Sequence, residues 1–360
     1  MIIKKYQRYL ITTYFNHFII ISVLFLCLGF ILNLFEELKF FDDHKDSSYY
    51  PFFLALLNSP SILFELFPFI FLIATKFFYI YLNERNEFEI LKNNGINNFK
   101  ILSLLSLLSF SIGIIILLFY YTFSANLKSH YYNLKNNFTE KNEYLAVVND
   151  SGLWIKEEIN EKVNIIHAKK FKENLIEEIT ITQTDSNFKM PNTIIAEEAN
   201  ITKKIWKLIN VEIISYEGDS KKFSNLDYKS SFNGEIVANL FSNLNSLNLF
   251  QLYELSENYT KIGYSTTNVM VHINKLYSMP IFFLLMTLLG FLIMVKFKFI
   301  KTKFFTVVIG VTVSVIVYYL NYFSSIFGAN ETLPITLSIW LPHLILLLIC
   351  LIGIVRINEI

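Results

Sequence analysis

Two ionisable side chains lie inside a long apolar run, and they are the first candidates for chemistry. Glu65 and Lys76 both fall within residues 60–82. A charge in lipid is costly, so such residues either line a polar path or reach water. Lys76 stands about six residues, or ~9 Å, from the inner end of its run. Its stem is long enough to snorkel to the interface. Glu65 stands about one turn from the outer end, where it serves either as an interfacial carboxylate or as a polar group at a cavity mouth. Pro68 in the same run, and Pro342 in the last one, each remove a helix hydrogen bond and kink the chain, for geometry alone or for gating. Other chemistry is hard to place. The six histidines (17, 44, 130, 167, 272 and 343) are scattered, and Cys27 and Cys350 both sit in apolar runs. That leaves neither a disulfide framework nor a metal-ligand cluster. There is no Gly-x-x-x-x-Gly-Lys-Ser/Thr loop, His-Glu-x-x-His or Gly-x-Ser-x-Gly, so the chain carries no P-loop ATPase, zincin or nucleophile-elbow signature. No cofactor and no catalytic residue are expected.

The elements that must position Glu65 and Lys76 are membrane helices. The 360 residues are 53% hydrophobic, with 36 Phe, and six stretches approach the roughly 20 apolar residues needed to cross a bilayer. They are residues 17–35, 60–82, 101–123, 276–295, 304–323 and 335–355. The first follows Lys4, Lys5 and Arg8 without a small-x-small cleavage site, so it reads as a retained span. Residues 125–272 hold 35 of the 61 charged side chains and form an aqueous domain between the third and fourth spans. Short loops set the orientation. Lys4, Lys5 and Arg8, then Arg85, Lys92 and Lys100, then Lys296, Lys298, Lys301 and Lys303 mark one side. Residues 36–59 carry two lysines against five acids, and the loop after span five has no Lys or Arg. Both termini are therefore expected in the cytoplasm and the central domain across the membrane. Net charge is +1, which gives no field for nucleic acid.

The central domain reads as β. Residues 144–148 and 153–155 flank the turn sequence Asn149-Asp150-Ser151-Gly152, and 163–167, 176–182, 194–197 and 208–216 continue at roughly ten residues per strand. That spacing suggests a sandwich or jelly-roll. Residues 246–258 read as helix, and 125–140 and 259–275 as connections to the spans. Ile179 and Ile181 alternate with Thr180 and Thr182, and Val211, Ile213 and Ile214 add a later apolar patch. Inward-facing residues of this kind line either an apolar trough or an ordinary closed core; the alternation is the same.

Residues 83–95 read Asn-Glu-Arg-Asn-Glu-Phe-Glu-Ile-Leu-Lys-Asn-Asn-Gly. Acids at the start and Lys92 near the end suit the helix dipole, and Asn94-Gly95 suits a C-cap. Phe88 and Leu91 are three apart and share a face. The expectation is a short cytoplasmic helix, either lying on the membrane or offering apolar and charged groups to a partner.

At this point the chain resembles the LptF/LptG permease family of the lipopolysaccharide export ABC transporter. The layout of three spans, β-domain and three spans matches over nearly the whole length. Local matches are Leu66-Phe67-Pro68, the stretch from Glu87 to Gly95, and Leu333-Pro334 with Trp340-Leu341-Pro342. The run Gly152-Leu153-Trp154-Ile155-Lys156 is more similar to the LptG side. The resemblance implies a helical membrane protein of six spans, in a three-plus-three arrangement around a periplasmic β-jelly-roll, in a bacterial inner membrane. Its domains would be 1–124, 125–272 and 273–360. It implies a permease that extracts lipopolysaccharide, pairs with a second LptF/LptG-type permease, and passes the lipid to a periplasmic bridge protein. A separate cytosolic ABC ATPase dimer would dock on the coupling helix through Arg85, Glu87, Phe88, Leu91 and Gly95. Lys39, Glu65 and Pro68 would belong to the substrate cavity, and Ile179, Ile181, Val211 and Ile213 to the periplasmic lipid path. One departure stands out. LptG-type members carry several lysines at the outer end of span one, and residues 33–39 here have Lys39 alone. The rival readings are a membrane-anchored periplasmic scaffold, for which six spans are excessive, and an ion-coupled carrier, for which buried carboxylates are too few.

Overall fold

A computed structural model describes residues 4–42, 49–136, 138, 153–159, 162–172, 175–185, 192–216, 218–230, 232, 234, 243–262, 265–296 and 303–358. The chain divides into two compact units, residues 1–128 with 270–360, and residues 129–269.

Among the described residues, six helical stretches are long and apolar enough to cross a membrane. They are α1 (Lys5–Phe40), α2 (Tyr50–Glu84), the rod formed by α4 (Asn98–Ile115), a π turn (Ile116–Tyr120) and α5 (Tyr121–Asn136), then α7 (Thr267–Lys296), α8 (Lys303–Ala329) and α9 (Ile335–Asn358). A short α3 (Glu87–Asn93) lies between the second and third. Every span is longer than its apolar run. The connections expected at 125–140 and 259–275 are partly helix, because α5 runs to Asn136 and α7 begins at Thr267. Helix α2 continues through Pro60 and Pro68, and α9 through Pro342.

The core of this unit is the pair α2 and α7. Their apolar windows are 72% and 83% buried, against 22% for α1, 11% for α8 and 28% for α9. Small residues bring backbones together, as in other lipid-embedded bundles. A Cβ on Gly290 would meet the Leu72 carbonyl oxygen at 2.8 Å, and one on Gly113 the Pro280 Cα at 2.9 Å. Phe71 stacks on Phe283 at 4.8 Å, and Phe18 of α1 lies 4.8 Å from Phe71. At the centre, the buried Tyr14 hydroxyl lies 3.1 Å from Ser109 Oγ, 3.3 Å from Thr287 Oγ1 and 3.4 Å from Thr75 Oγ1. These four buried hydroxyls join α1, α2, α4 and α7.

Lys76 does not snorkel. It is 1% exposed, and its ammonium occupies the space where Gly310 of α8 has no side chain. A glycine opposite the lysine gives the long side chain room inside the protein, and that room replaces the reach to the interface expected from its depth.

The second unit is one six-stranded antiparallel sheet in chain order: β1 (Leu153–Ile159), β2 (Lys162–Lys172), β3 (Leu175–Asp185), β4 (Asn192–Asn200), β5 (Ile205–Ile214) and β6 (Ser220–Lys229). The strand expected at 144–148 and its turn lie outside the described residues. Strand β6 is additional to the sequence reading. Side chains form rows across the strands. Ile155, Ile166, Ile181, Ile194 and Ile213 are successive partners, and so are Leu153, Ala168, Ile179, Ala196, Val211 and Phe223. A polar row, Glu157–Asn164–Gln183–Asn192, lies at one end. Buried positions run two apart and then skip to three: Ile176 to Ile179, Ala196 to Ala199, Leu208 to Val211. At the skip, Glu178 and Asn210 take φ of 53° and 52°. There Lys169 pairs with Glu178, and Asn210 Nδ2 donates to Glu197 at 2.7 Å.

The edge strands β1 and β6 are joined by side chains. Tyr228 Oη donates to Glu157 Oε1 at 2.8 Å and Ser230 Oγ to Oε2 at 3.0 Å, all three residues buried. Trp206 Nε1 closes the same end on the Phe232 carbonyl at 2.7 Å. Helix α6 (Leu249–Ile262) follows, as expected for 246–258. It opens with a reciprocal cap in which the Asn248 and Gln251 side chains each accept the other's backbone N–H at 3.0 Å.

Candidate functional site

The short helix α3 is where chemistry-bearing side chains converge in the helical unit. Its sequence starts with two acids and ends at Asn94, after which Gly95 takes φ 75° in open space. Lys100 Nζ donates to the Gly95 carbonyl at 2.9 Å, and the Asn97 side chain caps the next helix through Lys100 N at 3.0 Å. Asn83 and Glu84 belong to α2, so the helix is shorter than the stretch 83–95 suggested.

Two attachments fix α3. Phe88 is 2% exposed, with its ring 4.9 Å from Tyr79 of α2 and 6.3 Å from Phe291 of α7. Glu87 Oε2 accepts a hydrogen bond from Tyr9 Oη of α1 at 2.6 Å. Next to it, Arg85 at the end of α2 lies 4.3 Å above the Tyr81 ring of that helix, and His17 of α1 is 5.2 Å from the same ring, a contact between α1 and α2. The face shared by Phe88 and Leu91 therefore turns toward the spans, with Phe88 buried and Leu91 half-buried. Ile90, 56% exposed, is the apolar side chain presented outward, between exposed Glu89 and Lys92. Sequence spacing paired Phe88 with Leu91; burial of one aromatic decides which face is inward, and spacing alone does not contain that.

The remaining candidates separate. Lys39 is exposed in the last turn of α1, and Pro68 is buried in α2. Glu65 is exposed on α2, within electrostatic reach of Lys128, Lys275 and Tyr318. Beside that group, Tyr121 Oη and His272 Nε2 are 3.2 Å apart. Lys128, His272 and Lys275 were not singled out from sequence, because each stands just outside an apolar run while its helix continues past it. In the sheet unit, Ile179, Ile181 and Val211 are buried and Ile213 is half-buried. In this conformation the inward rows are a filled core.

The architecture defines a class: a helical membrane protein with six spans, an antiparallel β-domain inserted after the third, and a short helix clamped between the second and third. The family model described as lipopolysaccharide export system permease LptF/LptG matches residues 8–356, and the chain belongs to that family. Among curated proteins, none matches it. The chain is accordingly a multi-pass inner-membrane component of lipopolysaccharide export, a transporter part and not itself an enzyme.

Proposed function

We propose that the chain is the LptG-like permease of a heterodimer that lifts lipopolysaccharide out of the inner membrane, driven by a separate cytosolic ATPase dimer that docks on α3. Both termini and α3 lie in the cytoplasm, and residues 125–272 lie in the periplasm, where they hand the lipid to a bridge protein. Lys39, Glu65 and Pro68 belong to the cavity side of the spans. Ile179, Ile181, Val211 and Ile213 line the lipid's later path once the β-domain opens. The observation that carries this reading is α3 itself. A seven-residue helix is too short to be stable alone, yet here it is pinned to three spans and presents Glu89, Ile90 and Lys92 outward. That is the build of a docking element, and neither a scaffold nor an ion carrier has a use for it. The absence of a P-loop in the sequence agrees with ATP hydrolysis on a partner chain.

The test is co-purification of the full chain with a cytosolic ATPase, followed by lipid release in liposomes. Glu87→Ala is expected to lower ATPase association or stimulation more than Glu89→Ala, because Glu87 matches the family's coupling stretch. Full assembly and stimulation in Glu87→Ala would remove Glu87 from the coupling role.

A further inference from the structure

We propose that Tyr9 is a positioning residue that carries displacement of α3 into α1, so that docking of the ATPase is felt by the first span. The proposal rests on the reading that an ATPase docks on α3, and it goes beyond that reading by naming the route inward.

The two attachments of α3 are unequal. Through Phe88 it meets Tyr79 of α2 and Phe291 of α7, the two most buried spans. Those helices are locked by glycine-to-backbone approaches and have little freedom to respond. Through Glu87 it meets α1, whose apolar window is only 22% buried. So the rigid attachment is aromatic, and the attachment to the less confined helix is one hydrogen bond. That bond has the short length of a charge-assisted pair, 2.6 Å from phenol donor to carboxylate acceptor. It links positions 78 apart in sequence. Tyr14 follows Tyr9 by five residues, about 7.5 Å along the same helix. Its hydroxyl is the centre of the buried cluster with Thr75, Ser109 and Thr287. A pull at Tyr9 is thus resisted or transmitted where α1 meets the core. A tilt of α3 about the fixed Phe88 moves Glu87, and Glu87 moves Tyr9.

The experiment uses the complete complex of the chain, its companion permease and the ATPase, reconstituted in liposomes with lipopolysaccharide. Three quantities are read: ATPase bound, ATP hydrolysed, and lipid released per ATP. Tyr9→Phe is expected to bind the ATPase and melt as the parent does, with lipid released per ATP lowered about three- to tenfold, the scale of one exposed intramolecular hydrogen bond. Glu87→Gln keeps an acceptor oxygen and should lose less. Tyr9→Phe combined with Glu87→Ala should be no worse than Glu87→Ala alone, since both remove one link. Unchanged lipid release per ATP in Tyr9→Phe, with the ATPase bound, overturns the proposal and leaves the docking reading standing. Loss of the ATPase from Tyr9→Phe also overturns it, because the hydroxyl would then only hold the docking surface in shape. Failure of the parent complex to bind any ATPase overturns the docking reading itself.

Discussion

One buried carboxylate joins the edge strands β1 and β6, and its tyrosine partner carries a pH signature. Glu157 accepts hydrogen bonds from Tyr228 and Ser230 in a buried setting. Burial, and then the Glu157 charge, push the Tyr228 hydroxyl above its ordinary value of about 10. The folded domain therefore holds a proton that an unfolded chain would release. This stabilisation is fully present below pH about 10 and is lost as pH rises from there through the higher folded value. Fluorescence of Trp206, whose ring lies 5.9 Å from Tyr228, should report alkaline loosening in the parent. Tyr228→Phe should unfold more readily at neutral pH, by about 1–3 kcal/mol for one lost buried hydrogen bond to a carboxylate, and show less additional loss above pH about 10. An alkaline transition equal to the parent's would remove Tyr228 from this role. None of this was legible in the sequence. Glu157 looks like one more acid in a charged strand, and its partners stand 71 and 73 positions away.

At the scale of elements, legibility followed apolar content. Five strands could be read from β-branched residues, and the spans from long uncharged runs. Strand β6 could not, because Lys221, Lys222, Ser224, Asn225 and Asp227 leave Tyr228 as its one buried residue. It is a strand through pairing with β5, which sequence pattern does not record. Span ends were short for the same reason: polar residues such as Lys128 and Lys275 end an apolar count while the helix continues. Helix α3 was legible through its acids and Gly95, but its attachment to Tyr9 was not. The crossing of α2 and α7 gives a test. At Gly290 a Cβ meets backbone, the Leu72 oxygen, which cannot turn aside; at Gly310 it meets the flexible end of Lys76. Gly290→Ala should lower the complex's melting temperature more than Gly310→Ala, costing about 1–3 kcal/mol of overpacking. Equal losses would mean that the helices shift freely at this crossing.

At the scale of the whole molecule, the expected placement is set by charge in short loops. In a background of Cys27→Ser and Cys350→Ala, Tyr216→Cys should react with a membrane-impermeant maleimide from outside the inner membrane. Glu89→Cys should react only after permeabilisation. The reverse pattern would invert the protein and with it the docking reading. The lipid path has its own test. A photo-crosslinker at Ile181 is expected to capture lipopolysaccharide only while ATP is hydrolysed, since the position is buried in the closed domain. If no inward position captures lipid while transport continues, the β-domain serves the next component as a dock and the lipid passes outside it.

The skip from two to three in the buried positions of β3, β4 and β5 has a consequence for how this domain can change by insertion and deletion. Strand pairing is continuous across the skip: Ile179 with Ala196 and Glu177 with Glu198 belong to one register, as do Ala196 with Val211 and Glu198 with Ile209. The neighbouring strands are therefore out of phase with a simple alternation by the same residue at the same row. Deleting Asn210 alone would make β5 a regular strand by its own sequence, yet shift every pair on one side of the row by one place. Lys169 of β2 and Ser224 of β6 stand in the same row, so removing one residue from β3, β4 and β5 restores pairing throughout the sheet only if β2 and β6 each lose one too. The extra residue is the joint property of the whole row, and no one strand can gain or lose it separately.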